Sequence, residues 1–174
     1  VGFGVATGYL AVMSLFGIEP QIMASTALVL NVIVAAISFI TYFRAGYLRR
    51  DLLLPFIVTS IPAAFIGGSF KLADHVYSIL LYVVLTFVAI RLLFFSKKGD
   101  EAQALRTVPF WLALIIGFII GLLSGVIGIG GGIFLSPVIL YARWGNSKQA
   151  ATVAAAFIVL NSISGLLGRL TGGT

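Results

Sequence analysis

The chain has 174 residues, of which 60% are hydrophobic and only 9% charged, against about a quarter charged in ordinary soluble domains. Eleven Lys or Arg and five Asp or Glu cannot cover a water-soluble globule of this size, which excludes a cytosolic enzyme of normal composition and a disordered tail and leaves an integral membrane protein. Cysteine is absent and a single His is present, so disulfides, thiolate zinc sites and iron–sulfur clusters are excluded, and no cofactor or metal is expected. The net charge of +6 sits in short loops between apolar stretches, where it sets membrane orientation and gives no nucleic-acid footprint.

Charge-free runs predict the spans at Val1–Ile18, Gln21–Phe43, Leu52–Phe70, Val76–Ile90, Val108–Ala142 and Gln149–Gly168, since a helix needs about 20 apolar residues to cross the hydrocarbon. The first run is short and opens without Met, so the chain is expected to be a fragment. It has no basic leader and no small-residue cleavage site, and so does not read as a signal peptide. Counting each run as one crossing puts Arg44, Arg49, Arg50, Arg91, Lys97, Lys98, Arg106 and Arg169 on one side. Lys71, Arg143 and Lys148 fall on the other. The positive-inside rule makes the first side cytoplasmic. Tyr42, Tyr47, Tyr77, Trp111 and Trp144 lie near span ends, where an interfacial aromatic belt belongs.

The run Phe110–Ala142 does not fit a straight helix. It would be roughly 50 Å long, in a hydrocarbon layer about 30 Å thick. Gly128-Ile129-Gly130-Gly131-Gly132, followed by Pro137, supplies a break, because each glycine costs roughly 1 kcal/mol in a helix interior and proline removes a helical donor. The spacing predicts a helix over Val108–Val126, an unwound joint, and a half-helix over Phe134–Tyr141. Broken backbone at membrane depth is tolerated only inside protein or a wet cavity. Exposed N–H groups at such a joint form an anion-binding nest, and the positive end of the following half-helix points at the same place. Gly117, Gly121 and Gly125 have the four-residue spacing of helix packing instead. No Gly-Lys-Ser/Thr follows, so the joint is not a Walker loop.

The chain also matches itself. Val1-Gly2-Phe3-Gly4 is similar to Ile129-Gly130-Gly131-Gly132, and Ala27-Leu28-Val29-Leu30-Asn31 is similar to Phe157-Ile158-Val159-Leu160-Asn161. Tyr9 stands where Pro137 would be. The expected fold is an all-α polytopic transmembrane helical bundle with two homologous repeats and glycine-broken helices: residues 1–98 form a first repeat, 99–107 a cytoplasmic loop, and 108–174 a second repeat. One crossing per run makes the repeats parallel, whereas a re-entrant hairpin at the joint would change the parity and allow inverted repeats. Asn31 and Asn161 sit mid-span, where an amide must pair, either as glue between helices or by donating to substrate oxygens. Ser25, Thr26, Ser162 and Ser164 stand near these amides and could help, although Ser and Thr in helices often bond their own backbone, as is expected for all four. No acid lies within a span, so no buried carboxylate is visible to carry proton coupling.

The stretch GLLSGVIGIGGGIFLSPVIL (residues 121–140), then KQAATVAAAFIVLNSISGLLG (148–168), resembles the sulfite exporter TauE/SafE family of membrane permeases. The first copy, GFGVATGYLAVMSLFGIEPQIMASTALVLN (2–31), resembles that family's N-terminal half less closely. The resemblance implies a duplicated helical architecture in a prokaryotic-type inner membrane and transport of small anions, often sulfur-containing ones such as sulfite or sulfonates. The candidate substrate-binding residues are Gly128, Gly130, Gly131, Gly132, Pro137, Asn161 and Ser162 from the second copy, with Gly2, Gly4 and Asn31 from the first. The partners expected are a small anionic substrate and the lipid bilayer, with no nucleic acid and with a homo-oligomer left open. An anion channel and a structural membrane subunit are the competing readings. An intramembrane enzyme has no nucleophile–base pair to support it.

Overall fold

A computed structural model describes residues 5–70, 72–94 and 106–172. Its regular elements are all helices: α1 (Val5–Leu15), α2 (Pro20–Arg44), α3 (Arg50–Ser69), α4 (Asp74–Phe94), α5 (Phe110–Ile127), α6 (Gly132–Tyr141) and α7 (Ser147–Thr171). Four are long and apolar enough to cross a membrane, over Ile22–Arg44, Arg50–Ser69, Phe110–Ile127 and Ser147–Thr171. Local chemistry sets several ends. Pro20 opens α2 from the first turn, where its missing N–H costs nothing. Asn146 and Gln149 form a reciprocal capping box on α7. Gly128, left-handed at φ +88°, closes α5.

Glycine lets α3, α5 and α7 touch. A β-carbon on Gly117 would stand 2.5 Å from Phe56 O, and β-carbons on Gly121 and Gly125 would run into the Ser60 and Ala64 carbonyls. The Gly117, Gly121 and Gly125 ladder therefore packs α5 against α3, with the two helices running the same way. α7 follows α3 in the same direction: Ser164 Oγ donates to Ile61 O at 2.6 Å, and Ser69 Oγ to Gly168 O at 3.1 Å. α2 runs the opposite way to α7. Leu28 lies against Gly165, and Asn31 and Ser162 both border Gly130, so numbering rises along one helix as it falls along the other.

The path of the long apolar run corrects the crossing count. The Arg106 N–H, just before α5, donates to Arg143 O, just after α6, at 2.8 Å. Arg49 Nη1 donates to Trp144 O at 2.9 Å, and Lys148 Nζ donates to Tyr47 OH at 3.1 Å. Both feet of the α5–α6 unit therefore stand at the end of the bundle that carries Arg44, Arg49 and Arg50. Arg143 and Lys148 belong to this basic end, and Arg169, at the end of α7, belongs to the other. The physical reason is length: α6 has 10 residues, which is about 15 Å of helix and half a hydrocarbon layer. Two of the aromatic-belt residues also move inward. Trp144 is buried against Phe56, with ring centroids 6.0 Å apart, and Tyr77 is buried with its hydroxyl on Ile127 O.

Two apolar clusters fill the bundle. One gathers Leu52, Phe56, Leu135, Ile139, Trp144, Val153 and Phe157; the other gathers Leu10, Met23, Tyr77, Leu81, Ile127, Ile129 and Ile133. Phe134, in the first turn of α6, packs against both. The glycine joint lies where they meet.

Candidate functional site

The joint between α5 and α6 is a turn that only glycine enters freely. Gly128, Gly130 and Gly131 have φ of +88°, +77° and +76°, a left-handed region that costs other L-residues roughly 1–2 kcal/mol. Phe134 and Leu135 are bonded back to Gly131 O, at 3.1 and 3.2 Å. The Gly131 and Gly132 N–H groups thus precede the first intrahelical acceptor and lie at the positive end of α6.

The carbonyl side of the joint is held by three other helices. Arg169 Nη2 on α7 donates to Gly125 O at 3.0 Å and Val126 O at 2.6 Å. The Tyr77 hydroxyl on α4 donates to Ile127 O at 3.0 Å. Asn31 Nδ2 on α2 donates to Gly128 O at 2.9 Å. Four consecutive carbonyls that a helix end leaves orphaned are therefore satisfied by side chains. The guanidinium also sits where the helix dipole is negative. The Tyr9 hydroxyl on α1 donates to Asn31 Oδ1, so both ends of that amide are engaged.

The opposite side of the joint faces α7 and α5. A β-carbon on Gly130 would stand 2.7 Å from Ile158 Cγ2, 3.1 Å from Ser162 Oγ and 3.2 Å from Asn31 Nδ2. On Gly131 it would stand 2.8 Å from both Ile120 Cγ2 and Phe157 Cε1 and 3.4 Å from Ser124 Cβ. Any side chain on these glycines would occupy the space next to the first amides of α6. Ser124 Oγ, Ser162 Oγ and Asn161 Oδ1 are buried and have no hydrogen-bond partner within the protein. Asn161 Nδ2 donates to Phe157 O, one turn back on its own helix, at 2.8 Å.

The structure thus brings Gly128, Gly130, Gly131, Gly132, Asn31 and Ser162 together, with Asn161 one turn beyond Phe157. Pro137 lies half-buried within α6, five residues past Gly132. Gly2 and Gly4 lie outside the described residues. Thr26 is exposed and Ser25 half-buried, while Ser164 bonds across to α3. Sequence reasoning misses Tyr9, Tyr77, Arg169 and Ser124. Tyr77 and Arg169 read as span-end residues, and the only signal for Tyr9 is that it replaces the proline of the other copy.

Comparison with known proteins agrees with the resemblance. The family description "Sulfite exporter TauE/SafE" matches residues 1–174. A probable membrane transporter protein of Sinorhizobium fredii is 37% identical over 173 residues, covering 97% of this chain and 69% of its own length. A probable membrane transporter protein of Methanocaldococcus jannaschii is 38% identical over 79 residues, covering 45% of this chain and 27% of its own. No solved structure matches. The site is a buried break in a multi-pass helical bundle, and the chain belongs to the sulfite exporter TauE/SafE family of membrane transporters.

Proposed function

We propose that the protein is a secondary transporter of small oxyanions, with sulfur-containing ones such as sulfite or organosulfonates first among them. The anion is captured by the backbone N–H groups of Gly130–Gly132. The observation that carries this reading is the joint itself: three left-handed glycines lead into α6 inside the bundle, and the unpartnered Ser162 hydroxyl borders one of them, Gly130. Discontinuous helices of this kind hold anionic substrates in many secondary transporters.

The chain divides into halves at 1–98 and 108–174, joined by 99–107. Support comes from matching lengths: α1 and α2 have 11 and 25 residues, α6 and α7 have 10 and 25. Since α2 and α7 run in opposite directions, the halves are inverted repeats, and rocking of one against the other switches access to the joint. The basic end, with Arg44, Arg49, Arg50, Arg106, Arg143 and Lys148, faces the cytoplasm of a prokaryotic inner membrane.

The test places bulk at Gly131. In reconstituted vesicles, Gly131→Val is expected to abolish sulfite flux, scored on the fraction of protein that is membrane-inserted and folded, because the left-handed φ and the contacts with Ile120 and Phe157 also lower its stability. Unchanged flux removes the joint as the site. Saturable flux that responds to counter-substrate supports a carrier, and flux that does neither supports a channel.

A further inference from the structure

The polarity of the groups around the joint says more about the ligand than its charge. Two residues with unpartnered hydroxyls border it, and an unpartnered carboxamide oxygen lies one turn of α7 beyond. Ser124 approaches Gly131 from α5, and Ser162 approaches Gly130 from α7. Each hydroxyl can donate to an anion oxygen. Asn161 differs. Its carboxamide is oriented by Phe157 O, which accepts from Nδ2 at 2.8 Å; the reverse orientation would set two carbonyl oxygens against each other. The atom left over is Oδ1, an acceptor only. Phe157 abuts Gly131 and Ile158 abuts Gly130, so Asn161 and Ser162 each lie one turn further along the two ridges of α7 that face the joint. All three residues are fully buried.

A site built of donors alone suits a fully ionised oxyanion. One acceptor buried among donors would face such a dianion with a repelling carbonyl and leave its own lone pairs unmet, at a cost typical of unpaired buried polar groups. We infer that the joint takes its oxyanion in the singly protonated form. The substrate's ionised oxygens accept from the glycine amides and from Ser124 and Ser162, and its acidic O–H donates to Asn161 Oδ1. This inference rests on the joint being the substrate site, and it narrows the substrate class to oxyanions that carry one proton near neutral pH, such as hydrogen sulfite.

The protein supplies no titration that would imitate this. From the helices packed on the joint, the titratable groups facing it are Tyr9 on α1, Tyr77 on α4 and Arg169 on α7, all with ordinary values far above neutrality. Among the described residues, α2, α3, α5 and α6 bring none to that height. Glu19, Asp51, Asp74 and His75 are exposed at helix ends. A pH dependence near neutrality therefore belongs to the ligand.

Equilibrium binding of radiolabelled sulfite to the detergent-solubilised protein tests this. The expected result is affinity for total sulfite rising roughly tenfold between about pH 8 and about pH 6, as expected for one gained hydrogen bond and a relieved repulsion. Methanesulfonate, a sulfonate without an acidic proton, is expected to compete roughly tenfold more weakly than sulfite at the lower pH. Asn161→Leu is expected to flatten the pH dependence and narrow that gap. Methanesulfonate competing as well as sulfite in the wild-type protein overturns the inference without any variant, and so does an Asn161→Leu protein that binds with the original pH slope. If Gly131→Val abolishes binding while either of those results is found, the joint stands and only the protonation state falls. If sulfite binds equally with and without bulk at Gly131, or binds to neither protein, the site and this inference fall together.

Discussion

At the scale of single residues, Asn31 shows how a buried amide serves a glycine turn. Its Nδ2 holds Gly128 O and its Oδ1 takes the Tyr9 hydroxyl, so it fixes the joint while a second N–H on Nδ2 stays beside Gly130. Replacing it strands the Gly128 carbonyl in an apolar interior, while the Tyr9 hydroxyl keeps Ala27 O as an acceptor. Asn31→Leu is expected to lower stability by about 1–3 kcal/mol, and Tyr9→Phe by less, since the Asn31 bond to Gly128 O survives it; thermal unfolding in detergent measures both. Arg169→Met is expected to cost a similar amount by uncapping Gly125 and Val126, with Arg169→Lys recovering part of it. The triple glycine is legible in the sequence because positive φ is a property of the residue type. Asn31, Tyr77 and Arg169 are not legible as partners of the joint. They reach it across 97, 50 and 43 or 44 residues of chain, and nothing local to an Arg at the end of an apolar run distinguishes a headgroup from a helix terminus as its acceptor.

At the scale of elements, α5 is defined by two uses of glycine with opposite consequences. Gly117, Gly121 and Gly125 keep helical geometry and bring α3 into backbone contact, while Gly128, Gly130 and Gly131 abandon it. Spacing separates the two uses in the sequence: four-residue intervals preserve one helix face, and consecutive glycines cannot. The predicted helix over Val108–Val126 is found as Phe110–Ile127, and the predicted half-helix over Phe134–Tyr141 begins two residues earlier at Gly132. Bulk on the packing face is expected to do damage of a different kind from bulk in the joint. Gly125→Val would drive a side chain into the Ala64 carbonyl, and the expected outcome is a loss of stability of about 1–3 kcal/mol or failure to accumulate, read by fluorescence-detected size exclusion. Gly131→Val puts a side chain at a left-handed φ and against Ile120 and Phe157, so it is expected to cost stability as well as flux, and its flux is scored per folded protein.

At the scale of the whole molecule, composition and hydropathy make the membrane class and the helical fold legible, but they leave the topology one crossing out. The miss has a physical cause. An uninterrupted apolar run records that no charge enters the lipid; it does not record that the chain turns round inside it. Contacts between distant loops settle the matter, with Arg106 meeting Arg143 and Arg49 meeting Trp144. The absence of native cysteine makes single-cysteine labelling direct. Tyr47→Cys, Arg143→Cys and Asn146→Cys are expected to react with an impermeant maleimide from the same face of intact cells or inverted vesicles, and Gly172→Cys from the opposite face. Labelling of Arg143→Cys together with Gly172→Cys would contradict the hairpin.

That hairpin has a bearing on how the protein enters the bilayer. An arginine precedes α5 and another follows α6, each tethered to the other through the backbone. Neither foot has to be dragged through hydrocarbon for the segment to reach its final place. The apolar loop dips in and stays, so the insertion machinery needs to translocate no ionised group for this part of the chain. Ten residues of α6 then reach the interior from the leaflet where they were made, and the next helix, α7, is handed to the machinery from that same leaflet, its orientation already decided.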